Sequence, residues 1–226
     1  MKDVRRQQII EAFEDLDKLK QEGIWYSGFE KHGLYKRWYE DGQLGVLAHY
    51  KRGDKHGPYK QWFENGNLRK EANYINGELD GEYREWWFDG KPCLVAYYNK
   101  NGELDGEYRE WWPNGLLYIA TYYKNGKKDG EYREWGENGT LCEKSYYKNG
   151  KLNGEYKKWW ENGTLWKESH YKNDKKDGEY KEWWDNGTLW KESHYKNDKK
   201  DGEYKEWNRK GRLVKHTYYK NGKEVK

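Results

Sequence analysis

One glycine recurs along this chain at nearly constant intervals, and that period decides what the chain can fold into. The pattern begins at Gly33 and restarts at Gly57, Gly81, Gly106, Gly130, Gly154, Gly178 and Gly202, giving eight units over residues 33–226. The spacing is 24 residues, apart from one unit of 25 whose extra residue falls near Asn99. Residues 24–32 read as a partial unit ahead of the first. Counting from each unit's Gly, position 3 is Tyr, position 6 is Trp, position 10 is Gly and position 18 is Tyr in every unit. Position 12 is Leu in seven units, with Pro92 the exception, and position 16 is always Ala, Ser or Thr. A module this short cannot bury an apolar face alone, so it must stack on its neighbours.

Each unit reads as a β-hairpin. A run such as GEYKEWW is rich in strand-favouring rings. It is followed by Asn-Gly or a relative, a strong hairpin signal because both residues tolerate positive φ. A second run, TLWKESHY, returns, and KNGKKD or KNDKKD leads to the next Gly. With Asn-Gly as the tip, positions summing to 19 face each other: Tyr at 3 opposite the small residue at 16, and the ring at 7 opposite Leu at 12. A G1 bulge would move this register by one. Hairpins in series form an all-β, elongated, single-layer antiparallel meander. With strands ~4.8 Å apart, eight units span roughly 75 Å. Composition agrees with this. Leu, Ile and Val total 26 and Trp, Tyr and Phe total 42, so the packing is made of rings. That aromatic content also argues against disorder.

At YKNGKKDGEYREWGENG (123–139) and its sister copies the chain resembles the MORN-repeat family, and within it the bacterial branch labelled YwqK-family antitoxin. The motif recurs in all eight units; Asp174 and Asp198 depart from it by replacing a turn Gly, and Gly136 and Asn208 drop the second ring of the Trp-Trp pair. The resemblance implies a single layer of hairpins and non-enzymatic roles: scaffolding, protein binding, sometimes lipid contact. For the bacterial branch it implies neutralisation of a toxin.

Residues 1–23 read separately, as an amphipathic N-terminal α-helix: Ile9, Phe13 and Leu16 keep helical spacing and Gly23 stands where a C-cap is expected. Such a helix would either lie on or cap the early units, where positions 14 and 15 are apolar (Val46, Leu47, Leu94, Val95), or itself engage a partner. In later units these positions are charged. The N-terminus has no apolar run of signal-peptide length and no segment reaches a membrane span, so a cytoplasmic protein is expected. Cys93 and Cys142 both occupy position 13, two units apart, about 19 Å by strand spacing, too far for a disulfide.

No catalytic constellation is legible. A repeat that restates its carboxylates eight times makes no singular acid–base site, so no enzyme activity, no cofactor and no small-molecule substrate are expected. The Asn-Gly-Thr triplets at Asn138, Asn162 and Asn186 are explained as turns rather than glycosylation sites. His49, His170 and His194 share position 17 but stand about 9.6 Å apart per unit, too far to share a zinc. A net charge of +4 is thin for nucleic acid or anionic membrane. The expected partner is another protein, a toxin or nuclease effector, blocked by an antitoxin- or anti-CRISPR-type inhibitor that occludes its working surface. The alternative is a membrane-lipid-associated or structural scaffold. The candidate partner-binding residues are the rings in excess of the repeat's needs, Trp160, Trp166, Trp184 and Trp190, with His170 and His194 beside them.

Overall fold

The computed structural model describes residues 20–22, 25–27 and 30–225. All elements among them are strands, paired antiparallel and for the most part with the next strand in sequence, so the described chain is an all-β meander of hairpins. It divides into two compact halves, Met1–Leu104 and Asp105–Lys226. The first is built on strand pairs such as Glu30–Trp38 with Leu44–Lys51; the second on pairs such as Lys151–Trp159 with Leu165–Lys172 and Lys175–Trp183 with Leu189–Lys196. The helix expected over 1–23 lies outside the described residues except at its end. There Lys20–Glu22 forms β1 and pairs with Lys36–Trp38. In the partial unit, β2 (Trp25–Ser27) pairs with Glu30–His32.

The register matches the expectation through most of each hairpin and then departs from it. Gly33 faces Tyr50, Tyr35 faces Ala48 and Arg37 faces Val46, but Trp38 faces Leu44. Position 6, not the ring at 7, therefore lies opposite Leu at 12, and the residue at 13 is left over as a bulge. The cause is the tip. Tyr39 N–H donates to the Gln43 carbonyl (2.8 Å) and Gly42 N–H to the Tyr39 carbonyl (3.0 Å), closing a three-residue loop in which only Gly42 has positive φ (88°). This is a type I turn followed by a G1 bulge. Asn or Asp at position 9 keeps ordinary φ and uses its side chain instead: Asn162 Oδ1 accepts from Thr164 N–H at 3.0 Å.

The true two-residue turn connects one unit to the next. At positions 20 and 21 both residues have positive φ, as in Asn149 (51°) and Gly150 (81°), which defines type I′. The inserted residue changes this geometry. At 99–103 the turn closes through Asn99 N–H to Glu103 O and Gly102 N–H to Asn99 O (both 2.9 Å), the three-residue form seen at the tips.

Packing is by rings on one face. Tyr at 3 meets Tyr at 18 across the strands, for example Tyr132 and Tyr147 with centroids 6.0 Å apart at 74°, and Lys128 lies over both at 3.9 and 5.1 Å. The small residue at 16 fits beneath: Ala48, Ala96 and Ser145 are 1%, 0% and 0% exposed. A larger side chain there would displace the tyrosines.

Candidate functional site

Strand alternation sorts the side chains into two faces and two edges. The tyrosine face holds positions 3, 5, 14, 16 and 18. Its buried hydroxyls donate to the acid at position 5: Tyr132 to Glu134 at 2.7 Å, Tyr204 to Glu206 at 2.9 Å. Where Lys158 replaces that acid, Tyr156 turns to Glu143 of the preceding unit (3.2 Å), which also pairs with Lys158 (3.3 Å). Burial, reinforced by these carboxylates, pushes the pKa of Tyr83, Tyr132, Tyr156, Tyr180 and Tyr204 well above the ordinary 10.0. The opposite face carries a ladder of pairs two residues apart on one strand: Arg84–Glu82 at 2.8 Å, Arg133–Glu131 at 2.7 Å, Lys157–Glu155 at 2.6 Å and Lys205–Glu203 at 2.7 Å. Most charges on both faces are thus answered within the sheet.

The structure divides the six candidate residues between two places. Trp160 and Trp184 occupy position 7 at the loop edge, where their Nε1–H groups donate to the next unit's backbone, at Trp183 O (3.2 Å) and Trp207 O (3.3 Å). Trp166 and Trp190 are the bulge residues and lie against them: the Trp160–Trp166 centroids are 5.1 Å apart and the Trp184–Trp190 rings stack at 4.4 Å and 27°. Lys191 Nζ sits 3.6 Å from the Trp190 centroid, and the Arg209 guanidinium 5.1 Å from that of Trp184. All four rings are half-buried. His170 and His194 are exposed and sit further along the return strand, opposite Glu155 and Glu179. Each covers the next unit's Gly, so that a Cβ on Gly178 would come within 3.1 Å of the His170 Cβ. The two double-indole clusters therefore both lie at the loop edge, and the histidines stand apart from them. Cys93 and Cys142 are both free thiols. Among the described residues no group of three or more His, Cys, Asp or Glu gathers as a metal site.

The edges hold what the sequence reading missed. In the second half, the type I′ turns place lysine directly opposite lysine five times: Lys124–Lys127, Lys148–Lys151, Lys172–Lys175, Lys196–Lys199 and Lys220–Lys223. All ten are exposed, and among the described residues only Lys220 reaches a carboxylate, Asp201 at 2.9 Å. In the first half the same places hold Lys51–Asp54 and Ile75–Glu78. The loop edge of the second half carries Glu137, Glu161 and Asp185, all exposed. Only Asp185 is paired among the described residues, with Arg209 at 3.4 Å. The recurring K-N-G-K string was the available signal, hidden by the whole-chain balance of charge.

The family described as MORN repeat variant matches residues 31–52, 55–76, 104–125, 128–149, 152–173 and 176–197, more than half of the chain. No curated protein matches. Among solved structures the chain is similar to TarM (14% identity, 54% of this chain, 23% of that one, TM-score 0.29). It is similar also to a mutant of S. aureus TarM in complex with fondaparinux, alpha-GlcNAc-glycerol and UDP (13% identity, 55% of this chain, 23% of that one, TM-score 0.29). The chain spans less than a quarter of the length of those structures, and a likeness at this TM-score carries no argument.

Proposed function

Because this chain belongs to the MORN repeat variant family, whose repeats point to a role in binding, we propose that it is a non-catalytic binding protein whose partner is another protein. The observation that carries this reading is the pair of indole clusters at the loop edge. Four half-buried Trp rings are held in fixed orientation by bonds from Trp160 and Trp184 to neighbouring backbone. Trp and Arg are the residue types that anchor protein interfaces, and rings fixed before binding lose little entropy on binding. In its finer form the proposal is a bacterial or phage inhibitor, of antitoxin or anti-CRISPR type, that neutralises a toxin or nuclease by covering its working surface.

Affinity capture from the native host, followed by titration of the purified partner, tests this. The expected result is a complex of definite stoichiometry that survives moderate salt. Trp190→Ala should weaken it more than ~10-fold, about 1.4 kcal/mol, while the far-UV spectrum stays unchanged. An affinity unmoved by Trp166→Ala and Trp190→Ala rejects the indole site. Co-sedimentation with anionic vesicles that is released by salt, with no protein captured, transfers the protein to the scaffold reading.

A further inference from the structure

Like charges directly opposite one another in a sheet are destabilising, yet the type I′ edge of Asp105–Lys226 repeats that arrangement at five successive turns. Sites that break a local rule are where function is expected, and at four of these five turns neither lysine of the pair reaches a carboxylate among the described residues. Between the first two of these turns the edge is indented by a cavity of about 380 Å³ lined by Lys124, Asn125, Lys127, Asp129, Lys148 and Asn149. A surface of this kind calls for a partner with negative charge at the same interval. Two strands per unit at ~4.8 Å each set that interval near 9.6 Å.

We propose that this lysine edge docks on the acidic loop edge of a second copy of the chain. Glu137, Glu161 and Asp185 occupy position 8 of three consecutive units, so they recur with the same period as the lysine pairs. Their spacing follows from the same pair of strands, so three carboxylates meet three successive lysine pairs without drifting out of step. A polymer with its own repeat, such as a nucleic-acid backbone, drifts. The contact joins two different edges, so a pair keeps one free lysine edge on one molecule and one free acidic edge on the other, and association is open-ended. It is electrostatic and narrow, and therefore weak and sensitive to salt. This inference goes beyond the protein-partner reading and does not depend on it.

Sedimentation velocity of the full chain, at low salt and at about 500 mM salt, tests it with no added ligand. The wild type should associate at low salt, with the association constant falling more than ~10-fold at high salt. A Lys148→Glu, Lys172→Glu, Lys196→Glu triple variant should stay monomeric at low salt, and so should a Glu137→Lys, Glu161→Lys double variant. Mixing the two should restore association, because each retains the unaltered edge that the other's unaltered edge needs. A thermal melt of each variant guards against misfolding; the triple variant, which replaces like-charge pairs by opposite ones, should melt no lower than the wild type. A wild type that remains monomeric at low salt, charge reversals without effect, or a mixture that fails to associate overturns the proposal. Binding of a duplex DNA probe or of anionic vesicles to the lysine edge, without self-association, assigns that edge to phosphate polymers and overturns it equally.

Discussion

Asp174 and Asp198 show how one residue can break a rule and offset the cost. Each stands where the other type I′ turns have Gly, with φ of 67° and 66°, a region that costs a side-chain-bearing residue roughly 1 kcal/mol. Each also reaches back to an earlier unit. The Asp174 N–H donates to Leu152 O (2.9 Å) while its Oδ1 accepts from Leu152 N–H (2.8 Å), and Asp198 does the same with Lys176. The turn glycines make only the first of these bonds, as Gly150 does to Lys128 O. Asp174→Ala should therefore keep the strain and lose the acceptor, lowering stability by about 1–2 kcal/mol. Asp174→Gly should lose the acceptor but relieve the strain and come out near neutral. Urea melts of the two variants check this, and equal losses in both would show that the side-chain bond, not the backbone, sets the balance.

At the scale of the element, the hairpins are held in series by more than their strand ladder. Side chains at the loop edge of units such as 154–177 and 178–201 tie them to the next unit's backbone. Asn162 Nδ2 donates to Asp185 O at 2.8 Å and Asn186 Nδ2 to Arg209 O at 3.0 Å, alongside the indole bonds of Trp160 and Trp184. Asn162→Asp keeps the acceptor that shapes its own loop and removes the donor that crosses to the next. It should cost about 1 kcal/mol, read as a lower melting temperature, with amide exchange accelerated most in the flanking hairpins. Uniform acceleration throughout Asp105–Lys226 would instead mean that the tie acts on global stability. This bond also gives the Asn-Gly-Thr triplets at Asn162 and Asn186 their structural role. The triplet was legible as a turn in the sequence. Its part as a tie was not, because the partner is a backbone carbonyl 23 residues away and becomes a neighbour only through the register.

For the whole molecule, the tyrosine face sets the response to pH. Burial raises the pKa of Tyr59, Tyr83, Tyr132, Tyr156, Tyr180 and Tyr204 at position 3, and also of Tyr50, Tyr74, Tyr98, Tyr147, Tyr171 and Tyr195 at position 18. The native state keeps phenolic protons that the unfolded chain releases near 10.0. The stability linked to them is complete below that value and is lost as pH rises through the native pKa values. Lys55, Lys128, Lys167 and Lys200, held below 10.5 by burial, act in the opposite sense, but the tyrosines outnumber them. Denaturant midpoints should therefore fall steeply above pH ~10, together with a late, cooperative rise in tyrosinate absorbance. Titration of these position-3 and position-18 tyrosines near 10 in the folded protein would contradict this.

The sequence alone determined the hairpin repeat, its eight copies, the antiparallel meander and the pairing of Tyr at 3 with the small residue at 16, because a strict period of residue types permits one local geometry and the packing is between sequence neighbours. It also placed the excess indoles. The tertiary structure decided which glycine turn is the two-residue one, since Asn-Gly fits both forms and only the bond pattern separates them. It decided that Trp faces Leu, because one bulge moves every residue beyond it. It decided, too, that in a chain of net charge +4 the second half gathers lysine pairs along its turn edge and Glu137, Glu161 and Asp185 along its loop edge. Composition sums charge over the chain, whereas the sheet sorts it by position within the repeat.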